Sequence, residues 1–236
     1  MLTLPVVGCL ALLATLSPAG AATASAASAS SEGSPRAAPA HCPWLNTSLP
    51  VRERVNLLLP KMTLADKIDL MEGHNYYAPN GAIGYTDPIA SLCVPIVTEE
   101  DGPAGVADGV SGATQLPAPV NDAATWDPNE AKQYGQVIGN EQYTKGNDVD
   151  YGPTINIDRD PRWGRNFESL SEDPYLTGTL AAAEIQGIQS QGVIAEVKHY
   201  AVYNQETNRN TPADDVIVSN RALHEIYMPG FWAALN

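Results

Sequence analysis

Two stretches decide the fold of this chain: Tyr151–Gly178 reads YGPTINIDRDPRWGRNFESLSEDPYLTG, and Ile194–Arg209 reads IAEVKHYAVYNQETNR. Each places charged side chains shortly after an apolar run, namely Arg165 in the first stretch and Lys198 and His199 in the second. In an α/β barrel, all the parallel strands end at the same rim. The two stretches therefore predict a cluster of polar side chains at one end of a parallel sheet.

Elsewhere the apolar residues alternate between helical and strand spacing. Apolar positions three and four residues apart indicate two leading helices, and Thr63 is placed to cap the second. Asp127-Pro128 and Asp173-Pro174 each combine an acidic N-cap with a proline at the first helical position, and so mark two more helix starts. Predicted helices cover residues 51–62, 64–71, 128–145, 174–191 and 220–232, and predicted strands lie within residues 94–98, 148–157 and 193–197.

This succession of strand, loop and helix predicts the α/β class, with parallel strands joined by right-handed crossovers. A doubly wound nucleotide-binding sheet normally carries a glycine-rich phosphate turn, and the sequence contains neither G-x-G-x-x-G nor a P-loop. A TIM-type (β/α)8 barrel is therefore favoured. A complete barrel takes about 250 residues, whereas the pattern here supplies about four or five βα units. We expect an incomplete barrel preceded by a helical arm.

The beginning of the chain has the pattern of an export signal. Leu2–Leu16 is apolar and is followed by small residues that suit signal peptidase. The apolar run is shorter than the roughly 18 to 20 residues of a membrane span, so we expect no membrane association. The predicted organisation is a signal peptide at 1–30, a linker and arm at 31–48, and a barrel domain at 49–236. This organisation predicts a secreted protein.

Charge limits the possible partners. The chain has 27 acidic and 13 basic side chains, which give a net charge of −14. Such a charge repels phosphate backbones and anionic lipid surfaces, so we expect no nucleic-acid partner. A neutral carbohydrate is not repelled, and the composition is compatible with one.

Cys42 and Cys93 are the cysteines that remain once the predicted signal is removed. In an exported protein they can form a disulfide that fastens the leading arm to the segment entering the first barrel strand. Two unpaired buried thiols are an equally good interpretation. The sequence leaves both open.

Asp101 is the first candidate for substrate binding. It follows a predicted strand in the run Glu100-Asp101-Gly102, where glycine allows the backbone to turn sharply and leaves the aspartate facing the rim. A carboxylate there can accept hydrogen bonds from two adjacent sugar hydroxyls. The alternative is an aspartate that stabilises its own turn, which is common before glycine.

The segment Arg159–Glu168 is dense in charge, and its arginines require ion-pair partners wherever they are buried. We predict that Arg165 contacts the sugar and that Glu168 orients it. The other charged residues nearby are expected to brace the loop: Asp158, Arg159 and Arg162. Trp163 can stack on a sugar ring, although a packed loop anchor is the favoured role.

Lys198 and His199 end a run that otherwise belongs to the core. Adjacent ammonium and imidazole donors at a strand end can bind sugar hydroxyls and strengthen a hydrogen bond as charge develops on the ring. The alternative is a satisfied core histidine beside a lysine that pairs with Glu196 or Glu206.

No cofactor and no metal site are predicted. The four histidines are scattered, with neither H-E-x-x-H nor a zinc spacing of paired cysteines. The G-x-S-x-G motif of serine hydrolases does not occur either.

Four blocks of the chain resemble glycoside hydrolase family 3, in the family's order and from about Leu49 onward. They read DGPAGV, DPRWGRNFESLSEDP, KHYAVYNQETNR and SNRALHEIYMPGF. The resemblance, closest to the β-glucosidase and β-xylosidase branch, implies an N-terminal (β/α)8 barrel that releases non-reducing terminal β-D-glucose or xylose by a retaining mechanism. It also implies which residues bind the terminal sugar: Asp101, Arg165, Lys198 and His199.

The chain departs from the family in its catalytic carboxylates. Retention needs two carboxyl groups about 5 to 5.5 Å apart, and the family supplies the nucleophile from a Ser-Asp-Trp-like strand end. No such motif occurs before Asn236. We therefore assign no catalytic residue in this chain and expect the nucleophile and the acid/base beyond Asn236. The chain is expected to be the sugar-binding half of a longer glycosidase; the alternative is a non-catalytic carbohydrate-binding or unstable fragment.

Overall fold

The computed structural model describes residues 41–74 and 77–236. The predicted signal peptide at 1–30 and the first part of the predicted linker, residues 31–40, lie outside the described residues. The described part of the chain is a mixed α/β unit with helices packed on one four-stranded sheet.

The four short strands lie in the sheet in chain order. They are β1 (Gly84–Thr86), β2 (Val97–Asp101), β3 (Val149–Tyr151) and β4 (Ile194–Ala195). β1 pairs antiparallel with β2, whereas β2, β3 and β4 are parallel. The carboxyl ends of the last three strands therefore share one edge, as the predicted barrel requires.

Seven α-helices are found in the described residues, together with four three-residue 3-10 turns. The helices are α1 (Val51–Leu58), α2 (Leu64–Asp69), α3 (Pro119–Ala123), α4 (Pro128–Lys145), α5 (Pro174–Gln189), α6 (Asn220–Ala222) and α7 (Met228–Leu235). The 3-10 turns are Pro43–Leu45, Leu59–Lys61, Ala90–Leu92 and Asn166–Glu168, and a π-helical turn covers Leu223–Tyr227. None of these helices has the length and apolar character needed to cross a membrane.

The predicted helix starts are confirmed by their caps. Asp127 and Asp173 accept backbone N–H hydrogen bonds at 2.8 and 2.7 Å from the first turns of α4 and α5. Thr63 forms a reciprocal capping box at α2, and Ser219 caps α6. Gly146 ends α4 with φ of 81°, a conformation that glycine adopts without steric cost.

The strand predicted at 94–98 is wrong in position, because β2 begins at Val97. Val94 pairs with Ile89 outside the sheet, and Pro95 has no N–H to donate to a strand ladder. The apolar run therefore leads into the strand instead of forming it. β1 is missing from the predicted strands because three residues are too few to show an alternating pattern.

Prolines explain the two largest departures from the predicted helices; the helices predicted at 64–71 and 174–191 each end two residues early, at Asp69 and Gln189. The helix predicted at 51–62 ends its α-helical part at Leu58, because the next three residues form a 3-10 turn that contains Pro60. The helix predicted at 220–232 contains the π-helical turn just before Pro229. A proline within a helix removes one backbone hydrogen bond and displaces the preceding turn.

Helices α4 and α5 pack against each other almost backbone to backbone. A Cβ atom on Gly135 would lie 2.1 Å from the carbonyl oxygen of Glu184, and one on Gly187 would lie 2.2 Å from that of Lys132. Only glycine fits at these two positions. The main hydrophobic cluster joins these helices to α7 and the loop after β3, and its largest buried members are Ile155, Leu170, Leu180 and Phe231.

The leading arm is attached to the domain by a disulfide. Cys42 and Cys93 are bonded, with their Cα atoms 6.3 Å apart. Trp44 is buried next to the bond, and its indole N–H donates to the carbonyl of Leu92 at 2.9 Å. Of the two interpretations that the sequence left open, the structure therefore has the disulfide.

Breaking this disulfide is expected to lower the free energy of unfolding by about 2 to 4 kcal/mol. The bond closes a loop with a sequence separation of 51 residues, and a long closed loop restricts the unfolded chain strongly. The Cys42→Ser/Cys93→Ser double variant should show this loss in urea denaturation under oxidising conditions. A reducing agent should destabilise the wild type by a similar amount and leave the variant unchanged.

Candidate active site

The four residues predicted to bind sugar come together at the carboxyl edge of the sheet. Asp101 ends β2, Arg165 lies in the long loop after β3, and Lys198 and His199 follow β4. All four line one cleft with a volume of about 470 Å³. This volume lies within the range of small-molecule sites, which is about 300 to 1,000 Å³.

Asp101 and Lys198 form an ion pair across the cleft. The ammonium Nζ of Lys198 contacts Oδ1 of Asp101, and the side chains are 14% and 24% exposed. Lys198 therefore pairs with neither Glu196 nor Glu206, the partners considered from the sequence. Asp101 has a second carboxylate oxygen, and Lys198 has further N–H donors. The free oxygen of Asp101 and the free N–H groups of Lys198 can therefore form hydrogen bonds with hydroxyl groups in the cleft.

Arg165 is held by three neighbours. Its Nε and Nη2 atoms make a two-point contact with the carboxylate of Glu168, which is only 6% exposed, as the predicted orienting role requires. Nη1 donates to the hydroxyl of Tyr203 at 3.0 Å, and Nη2 lies 3.3 Å from Nε2 of His199. Burial lowers the pKa of Arg165, but the hydrogen bonds to Glu168 and Tyr203 outweigh this and the pKa rises overall. The guanidinium is a fixed cation.

His199 is neutral in the cleft. Burial, followed by the positive charges of Lys198, Arg165 and Arg209, lowers its pKa to about 3. Asn156 holds its backbone and ring through three hydrogen bonds of 2.8 to 2.9 Å. The imidazole is therefore a fixed polar group and not a cation.

Tyr203 contacts Arg165, His199 and Glu206 and so links these three side chains of the site. Its hydroxyl accepts from Arg165 and donates to Glu206, and its ring meets that of His199 at 4.9 Å in a T-shaped contact. Glu206 also accepts from the indole N–H of Trp163 at 3.2 Å. Trp163 is 4% exposed, so the interpretation as a packed loop anchor is confirmed and stacking on a sugar is excluded.

The bracing role predicted for three charged residues of the loop is confirmed for Arg159, which donates to the hydroxyl of Tyr227 at 2.8 Å. Arg162 makes an ion pair with Asp160 in the same loop, but the pair is exposed and braces the loop little. Asp158 differs, because its Oδ1 is buried without a partner among the described residues and its side chain braces nothing. Burial raises the pKa of Asp158 to about 6.

Sequence reasoning missed several residues that line or support the cleft. Tyr151, Glu196 and Arg209 line it, while Asn156 and Tyr203 hold His199 and Arg165. The dense polar run NQETNR contained a signal for Arg209, since an arginine in the loop after a strand is a candidate for the same rim. Asn156 has no such signal, because its role depends on a contact 43 residues away in the sequence.

Asp150 is buried next to the site. It lies in β3, is 0% exposed, and accepts from Nε2 of Gln142 at 2.6 Å. Two glycines leave room for it, because a Cβ on Gly102 would lie 2.0 Å from its Oδ1 and one on Gly152 would lie 2.6 Å from its Oδ2. Burial raises the pKa of Asp150 to about 7, although the bond from Gln142 and the charge of Lys198 oppose the shift.

Possible metal ligands are few in the described ranges 41–74 and 77–236. The side chains close enough to share an ion are His41, Cys42 and Cys93, and the two cysteines are joined in the disulfide.

Comparison with known proteins now identifies the family. The sequence profile of the glycosyl hydrolase family 3 N-terminal domain matches residues 85–236, which is more than half of the chain. The chain belongs to glycosyl hydrolase family 3. The matched region contains β2 to β4 and all four predicted sugar-binding residues.

Individual relatives of this family 3 chain are β-glucosidases. Beta-glucosidase B of Emericella nidulans is 41% identical over 188 residues, which are 78% of this chain and 21% of that protein. A beta-glucosidase of Rhizobium radiobacter is 40% identical over 184 residues, which are 76% of this chain and 21% of that protein. The chain thus spans about a fifth of the length of the curated relatives it matches.

Solved structures of family 3 enzymes confirm the predicted fold class. Beta-glucosidase 3B of Thermotoga neapolitana, in complex with α-D-glucose, superposes with a TM-score of 0.69 and 38% identity, covering 77% of this chain and 27% of that one. The Kluyveromyces marxianus enzyme in complex with glucose gives 0.69 and 34%, covering 77% and 21%. These neighbours have a TIM-barrel N-terminal domain. The described residues supply the three parallel strands β2 to β4, whereas β1 is antiparallel and differs from the all-parallel sheet that the sequence predicted.

Proposed function

We propose that this family 3 chain supplies the sugar-binding part of an exo-acting β-glucosidase, which releases terminal β-D-glucose or xylose from the non-reducing ends of glycosides. The observation that carries the proposal is the convergence of Asp101, Arg165, Lys198 and His199 in one cleft. Relatives solved in complex with glucose support the choice of sugar. No cofactor is required for the reaction.

The cleft suits a neutral sugar with several hydroxyls. The positive charges of Lys198, Arg165 and Arg209 are each paired with a carboxylate, of Asp101, Glu168 and Glu206 respectively. Paired groups retain unused donors and acceptors, so a hydroxyl can bind without an unpaired charge being buried. A second cavity of about 420 Å³ also borders Asp101 and Arg165, and it offers room for the rest of a glycoside.

The catalytic carboxylates form the second part of the proposal. The retaining mechanism of the family requires a nucleophile and an acid/base about 5 to 5.5 Å apart. We propose that both come from sequence beyond Asn236, because the chain lacks the Ser-Asp-Trp-like motif and spans about a fifth of the length of its relatives.

Export is also proposed. The apolar run Leu2–Leu16 and the small residues after it support a signal peptide. The disulfide between Cys42 and Cys93 supports an oxidising compartment, because structural disulfides are rare in the cytosol.

Binding of glucose to the 236-residue chain tests the proposed function. The wild type should bind glucose in a ligand-observed NMR titration, and Asp101→Asn should bind it about ten- to hundredfold more weakly, because a charged hydrogen-bond acceptor contributes roughly 1.5 to 3 kcal/mol. Asp87→Asn is the matched control, since Asp87 pairs with His74 outside the cleft. Equal affinity in wild type and Asp101→Asn would refute the assignment of the cleft.

An aryl β-glucoside assay separates the two parts of the proposal. Binding without turnover supports a chain that holds sugar and takes its carboxylates from further sequence. Robust turnover by the 236-residue chain would show that the nucleophile lies within it.

A further inference from the structure

Asn156 has an unusually close relation to His199. It lies in the loop after β3 and is 3% exposed. Its Nδ2 donates to the backbone carbonyl of His199 at 2.9 Å, and its Oδ1 accepts from the backbone N–H of His199 at 2.9 Å. A carbonyl can only accept and an N–H can only donate. These two bonds therefore determine which end of the Asn156 amide is oxygen, independently of the imidazole ring.

The same oxygen determines the tautomer of the ring. Oδ1 of Asn156 lies 2.8 Å from Nδ1 of His199. An amide oxygen has no proton to give, so Nδ1 must carry the ring proton. In a neutral imidazole Nε2 is then an acceptor. Nε2 lies 3.3 Å from Nη2 of Arg165, which can only donate, and a proton on Nε2 would point at that donor.

The surroundings keep the ring neutral. The charged and titratable groups that face it are Lys198, Arg165, Arg209, Glu206 and Tyr203. Three of these five are cations, and Glu206 is the one carboxylate among them. Protonation of the ring would place a further positive charge beside these cations. Burial acts in the same direction, and the pKa of about 3 follows from both.

We propose that Asn156 is a positioning residue that holds His199 as the Nδ1–H tautomer, so that Nε2 accepts a hydrogen bond from a hydroxyl of the bound sugar. The sugar part of this inference rests on the proposed function, whereas the tautomer does not. Nε2 has one lone pair, so the hydroxyl takes the place of Arg165 as its donor: it donates to Nε2 and accepts from the N–H of Arg165 that it displaces. An ether oxygen or a fluorine cannot donate. The His199–Arg165 pair therefore selects a free hydroxyl at one position of the sugar.

The tautomer is measured first on the wild-type chain, without any variant. Long-range 1H–15N correlation spectra of the 15N-labelled protein distinguish a protonated from an unprotonated ring nitrogen. We expect His199 to show a protonated Nδ1 and an unprotonated Nε2 throughout pH 5 to 8. An Nε2–H tautomer or an imidazolium at pH 7 would overturn the proposal.

The role of Asn156 is measured with Asn156→Ala. Loss of Oδ1 should allow the Nε2–H tautomer to appear and should weaken glucose binding about tenfold, which corresponds to one ordinary hydrogen bond. Asn204→Ala is the matched control, because Asn204 follows His199 in the same segment but donates to the hydroxyl of Tyr227 and has no bond to the ring. An unchanged tautomer in Asn156→Ala would contradict the positioning role.

The acceptor role of Nε2 is measured with deoxyfluoro derivatives of glucose. At one ring position, replacing the hydroxyl by fluorine should weaken binding to the wild type about tenfold. The same replacement should cost less than about threefold in Asn156→Ala, because the acceptor is already misaligned there. If glucose does not bind the wild type, the proposed function and the hydroxyl contact both fail while the tautomer assignment stands. If glucose binds and every fluorinated sugar loses the same affinity in the wild type and in Asn156→Ala, the hydroxyl contact alone fails.

Discussion

Replacing Arg165 with methionine is expected to lower the free energy of unfolding by about 3 to 5 kcal/mol and to abolish glucose binding. The substitution leaves the carboxylate of Glu168 without its two-point partner, and that side chain is only 6% exposed. Removal of one member of a buried ion pair costs this much because the other charge stays buried and uncompensated. Urea denaturation gives the stability, and an NMR titration with glucose gives the binding.

A double variant separates the two effects. Arg165→Met/Glu168→Leu removes both charges, and apolar replacements of a buried pair are often neutral for stability. This protein should recover most of the lost stability, yet it should still fail to bind glucose, because Arg165 lines the cleft. Recovery of binding together with stability would mean that Arg165 acts only through the fold.

Arg162→Met is the matched control. Arg162 lies in the same loop and pairs with Asp160, but its side chain is 88% exposed. Exposed pairs contribute about 0 to 1 kcal/mol, so stability and binding should both stay close to those of the wild type. A loss in Arg162→Met as large as in Arg165→Met would show that the loop responds to any lost charge.

Stability is expected to fall as the pH rises from about 4 to about 7, with Asp150 as a main cause. Its folded-state pKa of about 7 lies above the ordinary value of 3.8. Between these two pH values the folded state keeps a proton that the unfolded state releases, so a rise in pH favours unfolding. The difference of about three pKa units corresponds to roughly 4 kcal/mol. Glu100, with a pKa of about 7, and the fully buried Glu184 shift in the same direction. His199 opposes them, because its folded-state pKa of about 3 lies below its ordinary value of 6.5, but the raised carboxyl groups outnumber it.

Asp150→Asn tests this assignment. Asparagine keeps an oxygen to accept from Gln142, and it cannot ionise. The variant should lose a substantial part of the pH dependence between 4 and 7 and should be more stable than the wild type at pH 8. Urea denaturation at a series of pH values gives both quantities. An Asp150→Asn protein whose stability changes with pH in the same way as that of the wild type would contradict the shift.

Asp160→Asn is the control, because the pKa of Asp160 is shifted in the opposite direction to that of Asp150. The hydrogen bonds from Arg162 lower the pKa of Asp160 to about 2. Any stability that this group contributes is present above its ordinary pKa and is lost as the pH falls toward 2. The slope between pH 4 and 7 should therefore be the same in this variant as in the wild type.

The sequence predicted what depends on neighbouring residues. The N-caps at Asp127 and Asp173 are confirmed, since a cap contacts only the next turn of the same helix. The partner of Arg165 is also local, because Glu168 lies three residues further on. The first residue of β2 could not be predicted from the sequence pattern, because pairing with β1 and β3 decides where that strand starts. The partner of Lys198 could not be predicted either, because Asp101 is 97 residues away in the sequence.

By itself, the sequence determined the α/β class, the helix starts, the family and the four polar residues that follow apolar runs. Each of those features depends on the type and spacing of residues that are close together in the sequence. The tertiary structure decided the rest: the disulfide, the neutral state of His199 and the buried carboxyl of Asp150. Each of these depends on distances and desolvation between segments far apart in the chain, and these exist only once parallel strands bring the segments to one edge.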